Sequence, residues 1–207
     1  MNKNEKFVIT INREIGSGGR TVGSKLAEKL GVPFYDKALI EALIKKYNLS
    51  VEEIEDLKGR KHDWWSEFKR VVGIGQTLPD SVVNEPDLLT AGDIFKAEVE
   101  ILKGIAESES CIIAGRNGFF VFQDHPNHLN ILITAPMEQR IQRVMKKQNV
   151  SAKEAEKIIQ KVDKTRENYV QKYTGVSRYD THNYDLVINM KGKTEDEIAN
   201  LILQYIG

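Results

Sequence analysis

The sequence predicts an α/β domain of three layers around a parallel five-stranded sheet, and three observations carry that expectation. Short apolar, β-branched runs alternate with stretches of helical spacing along the chain. Some of those runs, Cys111-Ile112-Ile113-Ala114 above all, are continuously apolar, as strands buried on both faces of a parallel sheet are. The first run feeds a glycine-rich turn that opens into a helix, a strand-turn-helix unit from which right-handed crossovers are built.

Phe7 to Ile11 is the first strand, Gly16 to Gly19 can hold no regular element, and Ser24 to Leu30 has helical spacing. A glycine turn at a helix N-terminus is an anion cradle: its N–H groups converge, the helix dipole adds partial positive charge, and no Cβ blocks a phosphate. Against the pattern G-x-x-x-x-G-K-[ST], Gly19-Arg20-Thr21 takes the place of G-K-[ST] and the first glycine falls on Glu14. Arg20 keeps a positive charge for β- and γ-phosphate oxygens as a flat fork, and Thr21 keeps a hydroxyl suited to Mg²⁺. Glu14 would repel phosphate and is expected to point away. The competing reading is a tight turn whose glycines serve packing.

Val32 to Asp36 is a second strand after the helix-ending Gly31, with Asp36 at the carboxyl edge where parallel sheets bind ligands. Asp36 equally suits an N-cap for a helix from Lys37 to Tyr47. Ser50-Val51-Glu52-Glu53 has capping-box form, Trp64, Trp65 and Phe68 follow, and Gly73 to Asp87 reads as loop. This excursion, residues 37–87, suggests a flap over the ligand edge, with the tryptophans as its small core or as a stacking surface for a base.

A helix follows Gly92-Asp93, and Cys111 to Ala114 is the third strand, ended by Gly115-Arg116-Asn117-Gly118. Arg116 at that strand's end needs an anionic partner, either a bound phosphate or a carboxylate such as Asp36. Phe119 to Phe122 is an apolar patch, Leu129 to Thr134 a fourth strand, and Ala135-Pro136 a helix start. Arg140 and Arg143 share a face of that helix at i, i+3. A second helix opens with the capping box Ser151…Glu154 and carries Arg166. This hairpin within residues 136–183 is rich in cations: its lysines read as a solvated face, its arginines as groups a closing lid would bring to phosphate. Gly175 to Asn183 is loop, Tyr184 to Met190 the last strand, and Thr194…Glu197 caps the last helix.

Composition narrows the class. The 207 residues fit a single domain, with core segments 1–36, 88–135 and 184–207. Thirty basic and thirty acidic residues cancel, so no nucleic-acid or anionic-membrane partner is expected and an anionic substrate needs a local basic cluster. The single Cys111 fits a reducing cytoplasm and, in its apolar run, a buried packing role. Nothing resembles a signal peptide, and no apolar stretch approaches the roughly 20 residues of a membrane span. Oligomeric state is left open.

The segments INREIGSGGRTVGSKLAEKLGVPFYD, CIIAGRNGFFVFQDHPNHLNILITAPMEQRIQRV and VDKTRENYVQKYTG with NYDLVIN resemble the cytidylate kinase-like family, divergent nucleoside monophosphate kinases of the phosphate-loop superfamily. The resemblance spans most of the chain and is weakest between about Glu55 and Glu85. It implies a phosphate-loop kinase fold with acceptor-binding flap and lid, ATP as donor, Mg²⁺, and a nucleotide-like or other small anionic acceptor. It further implies donor phosphates on Gly16, Ser17, Gly18, Gly19, Arg20 and Thr21, with Thr21 also toward the metal. Asp36, Arg116 and Asn117 would bind the acceptor, while Arg20, Arg116, Arg140, Arg143 and Arg166 would stabilise the transferring charge. The chain departs from true cytidylate kinases at Ala114, where they carry a metal-supporting Asp, and at Asn117, where they carry an acid; Asp36 or Asp93 is the expected compensation.

Overall fold

The computed structural model describes residues 1–37, residue 40 and residues 91–207. Beyond Lys37 and Ile40, the expected flap lies outside the described residues, with Ser50, Trp64, Trp65 and Phe68, and so does the side chain of Asp93.

Five parallel strands form one sheet in the order β2-β3-β1-β4-β5. They are β1 (Val8–Arg13), β2 (Phe34–Asp36), β3 (Cys111–Ala114), β4 (His128–Thr134) and β5 (Leu186–Asn189). Six helices accompany them among the described residues: α1 (Gly19–Leu30), α2 (Ala91–Ser108), α3 (Gly118–Val121), α4 (Met137–Gln148), α5 (Ala152–Thr174) and α6 (Glu195–Ile206). The central strand β1 is flanked by β3, with Val8 opposite Cys111, and by β4, with Val8 opposite His128. That order places the loop after β1 at the centre of the sheet's carboxyl edge, where a parallel sheet presents its ligand site.

The strand period of two sorts β1 onto two faces. Ile9 and Ile11 join Val22 and Leu26 of α1 and Ile198 and Ile202 of α6 in the main core. Thr10 faces α3, so close that a Cβ on Gly118 would lie 2.8 Å from its Cγ2. Local signals fix the helix ends. Gly31, at φ 65°, turns its N–H back to the carbonyls of Ala27 and Glu28 and stops α1. The capping boxes Ser151…Glu154 and Thr194…Glu197 both form, starting α5 and α6 as their spacing predicts.

Two details depart from the sequence reading. The apolar patch Phe119 to Phe122 largely becomes the short helix α3, because Gly115, Arg116 and Asn117 all take positive φ and turn the chain out of β3. The α4–α5 hairpin has its own small core of Val144, Ala155 and Ile159, against which Ile15 of the glycine loop packs. The hairpin is thereby fastened to the loop. Cys111 is buried and in no disulfide, in keeping with its apolar run. Among the described residues no helix is long and apolar enough to cross a membrane.

Candidate active site

The loop from Glu14 to Gly18 is a cradle built of short-range contacts. The Ser17 amide donates to the Glu14 carbonyl at 3.3 Å, the Ser17 hydroxyl donates to the same oxygen at 2.9 Å, and the Gly19 amide reaches the Ser17 hydroxyl at 3.3 Å. Gly16 and Gly18 take φ 78° and 90°, where a side chain is strained. A Cβ on Gly16 would also sit 2.8 Å from the Arg140 carbonyl. The loop opens into a cavity of about 440 Å³ lined by Gly16, Gly18, Gly19, Thr21, Arg143 and Lys147, among others. Glycine amides at the head of α1 with two cations opposite form a surface that suits polyphosphate.

Glu14 lines that cavity too, and its carboxylate is held by protein groups. Its carboxylate accepts from the Ala135 amide at 3.2 Å and pairs with Arg140 Nη1 at 3.1 Å. Arg140, only 4% exposed, also pairs with Asp163 of α5 and donates from Nε to the Ile15 carbonyl at 2.8 Å. Asp163 in turn accepts from the Ile15 amide at 3.1 Å. All this makes Arg140 a buried rivet joining α4, α5 and the loop, with its guanidinium committed to protein groups. Arg143, one turn on, instead pairs with Glu195 and stands beside Gly18. The shared helix face of these two arginines thus serves two jobs.

Arg20 is mostly exposed, and its Nε pairs with Asp36 Oδ2 at 2.6 Å, so the guanidinium expected in the place of the loop lysine is turned toward the end of β2. Arg116 stands at the end of β3 as expected, but the carboxylate it meets is Glu98 of α2, not Asp36. Tyr169 covers the pair, donating to Glu98 Oε2 at 3.0 Å with its ring 5.4 Å from the Arg116 guanidinium carbon. Burial first, then the charge of Glu98, pushes the Tyr169 hydroxyl well above its ordinary range, keeping it a donor.

A second cavity of about 520 Å³ adjoins the first, with Lys37, Ala114, Asn117, Lys161, Tyr169 and Arg178 on its walls. Among the described residues three buried N–H donors there have no hydrogen-bond partner, Asn117 Nδ2, Arg178 Nε and Arg178 Nη1, the last 4.0 Å from Asp163 Oδ1; Glu98 Oε1, on the same wall, is taken up by its ion pair with Arg116. The three N–H donors ask for acceptor oxygens. Asn117 holds this position in a left-handed backbone at φ 54°, directly after Arg116 at φ 55°, an arrangement costing about 1–3 kcal/mol per residue and typical of functional sites.

Arg13 and Arg166 line both cavities. Arg166 and Arg178 donate to the Arg13 carbonyl, the former at 3.2 Å. Burial, then the charges of Arg166 and Arg178, lowers the Arg13 guanidinium to about 9; burial and Arg178 lower Arg166 as well. Arg13, Arg178, Glu98 and Asp163 were not singled out in the sequence. For Arg13 a signal existed, since it is a charged residue closing a strand that runs straight into the glycine turn.

Thr21 is exposed on the first turn of α1 and lines the loop cavity. Among the described residues no group of three His, Cys, Asp or Glu could hold a metal ion by itself. Mg²⁺ in phosphate sites takes only one or two protein oxygens beside phosphate and water, so the Thr21 hydroxyl suits its minimal demand.

The chain is 26% identical to the cytidylate kinase of Methanopyrus kandleri over 204 residues, covering 94% of this chain and 90% of that protein. An uncharacterized protein from Eubacterium ventriosum has a similar solved structure, with TM-score 0.67 and 25% identity over 97% of this chain and 98% of that one. Shikimate kinase from Bacteroides thetaiotaomicron shares the fold at TM-score 0.50 and 14% identity, with 97% of each chain covered. Residues 8–192 match the cytidylate kinase-like family, and the chain belongs to that family.

Proposed function

We propose that the protein is an ATP-dependent kinase that phosphorylates a nucleoside monophosphate of CMP type or a similarly small, anionic acceptor. The observation that carries this reading is the pair of adjoining cavities with Arg13 and Arg166 on the boundary. Phosphoryl transfer asks for two oxygens held in line across a cationic divide, and positioning with charge neutralisation supplies most of the catalysis.

In this reading the amides of Gly16 to Gly19 and the side chain of Arg143 hold the donor phosphates. Thr21 would hold Mg²⁺, whose chemistry there is to neutralise charge on the β- and γ-phosphates. Arg178 and Asn117 bind the acceptor's anion through their unpartnered N–H groups. Arg116, held by Glu98, backs that pocket, and Arg166 on the α4–α5 lid faces the transferred group. Arg140 works by fixing the loop to the lid. A reducing, cytoplasmic setting suits the lone Cys111.

The test is ADP release from Mg²⁺-ATP with a panel of nucleoside monophosphates and small phosphorylated or carboxylated metabolites. A productive acceptor raises the rate at least tenfold over the water background. Tight ATP binding with no stimulation by any acceptor would favour a second reading, a nucleotide-binding regulatory module with weak transfer. Ala114 at the end of β3, in place of a metal-supporting acid, is the feature that speaks for it.

A further inference from the structure

Building on the kinase reading, we propose that Arg13 supplies the phosphate-clamping cation that phosphate-loop kinases carry on the lysine of the loop. The chain has no lysine in the loop, and Arg20, on the rim of the loop cavity, is mostly exposed and paired through Nε with Asp36 at 2.6 Å. Gly18, at φ 90°, immediately precedes α1. Shifting the pattern G-x-x-x-x-G-K-[ST] by one residue, with Gly18 as its second glycine, puts the lysine position on Gly19, the first-glycine position on Arg13 and the Ser/Thr position on Arg20, so that the Thr21 hydroxyl stands one residue beyond it. The two positions have exchanged characters: arginine stands where the pattern has glycine, and glycine where it has lysine.

Packing explains why the exchange is coupled. A Cβ on Gly19 would lie 2.7 Å from Arg13 Cβ and 3.2 Å from its Cγ, so the Arg13 stem fills the space that a side chain at position 19 would enter. Farther along, a Cβ on Gly115 would run into Arg13 Nη1. The Arg13 side chain therefore extends from the head of α1 to the end of β3 over two positions that only glycine can fill beside it. Arg13 lines both cavities, with its stem beside Gly19 and its guanidinium beside Gly115. Arg20, Arg116, Arg140 and Arg143 each have a carboxylate partner, whereas Arg13 has no ion pair among the described residues.

A guanidinium at that boundary can hold the β- and γ-phosphate oxygens with two parallel N–H bonds. An acceptor oxygen forms its bond to the γ-phosphorus while the bond to the β,γ-bridging oxygen breaks, and ADP leaves with that electron pair. Arg13 stays protonated throughout and opposes the charge that builds on the leaving oxygen.

The experiment compares wild type, R13Q, G19K and the double variant R13G/G19K by calorimetric binding of ATP and AMP, steady-state kinetics and melting temperature. Wild type binds ATP more tightly than AMP. R13Q loses about tenfold or more of that preference and about 10²–10³-fold in kcat, the range for removing one preorganised donor to developing charge. G19K alone is destabilised by collision with the Arg13 stem, and R13G/G19K, which restores glycine and lysine to the pattern's own positions, regains turnover above R13Q. R13Q with wild-type kcat and wild-type ATP preference overturns the inference. Should R13Q fail to fold, the double variant decides: recovered turnover supports the proposal and a folded, inactive double variant overturns it. A wild-type protein that neither binds nor consumes ATP overturns the kinase reading itself, an outcome recognised by the silence of the parent, not of the variant.

Discussion

Replacing Arg140 by Met tests the claim that this arginine fastens the loop instead of touching substrate. The change keeps most of the side chain's apolar stem and removes the guanidinium from between Glu14 and Asp163. Breaking a buried ionic group by deleting one partner costs about 3–5 kcal/mol, because the remaining charges stay desolvated and unpaired. In a domain of this size each kcal/mol moves the melting temperature by about 2–4 °C, so a fall of about 6–20 °C is expected. Differential scanning calorimetry measures it directly. Adding Glu14→Gln and Asp163→Asn to Arg140→Met removes the stranded charges and should restore part of the loss. Affinity for ATP should weaken in parallel, since the Ile15 carbonyl loses its Arg140 donor. If Arg140→Met melts at the parent's temperature while kcat collapses, the rivet account is refuted and Arg140 belongs among the groups that meet the phosphates.

Three further outcomes follow from the geometry. Gly18→Ala forces a side chain into φ 90° and to within 3.1 Å of Arg143 Nη2, so ATP affinity should fall about tenfold with a stability loss of about 1–3 kcal/mol; an unchanged calorimetric Kd would count against the cradle. Inorganic pyrophosphate should raise the melting temperature by binding the crowded cations Arg13, Arg166 and Arg178, and the shift should disappear in Arg178→Gln if the second cavity contributes; chloride at matched ionic strength is the control. His128 is held by burial at about 4, below its ordinary 6.5, with Nε2 2.7 Å from the Thr10 hydroxyl. The unfolded chain therefore binds the extra proton first, and stability declines as pH falls from about 6.5 to about 4, by up to about 3 kcal/mol. His128→Gln should flatten that window in urea midpoints taken across it.

The parts of this architecture that sequence reveals are those decided within a few residues. Capping boxes at Ser151 and Thr194, the stop at Gly31 and the glycine turn into α1 depend on neighbours close in the chain, and each formed as its pattern implied. Partner choice among charged groups is different. Arg20 and Asp36 were both legible as site residues, yet nothing in their spacing says that they would meet each other. Arg116 was legible as a cation in need of an anion, but Glu98 reaches it only because α2 packs across the end of β3. Arg140 and Arg143 share a face in the helical wheel, and depth separates them: one is enclosed by the loop and α5, the other meets α6.

Convergence explains the two arginines that local reasoning passed over. Arg13 ends β1, Arg166 lies on α5, and Arg178 follows that helix in a loop; the last two bring their guanidiniums from distant segments to one carbonyl, that of Arg13. No window of sequence contains that meeting. Its energetics point to function all the same. Arg178 is 1% exposed with two N–H groups unpartnered, and mutual repulsion adds to burial in lowering Arg13 and Arg166. Asp163, 4.0 Å from Arg178 Nη1, is shared with Arg140, whereas a core arranged for stability alone would balance each charge or replace it with an apolar group of the same volume, often at no loss. Cations crowded around a cavity with three unpartnered N–H donors on its walls would become favourable on entry of oxygen anions. A bound phosphate would relieve that repulsion, which the proposed phosphoryl transfer requires where the transferred group would pass.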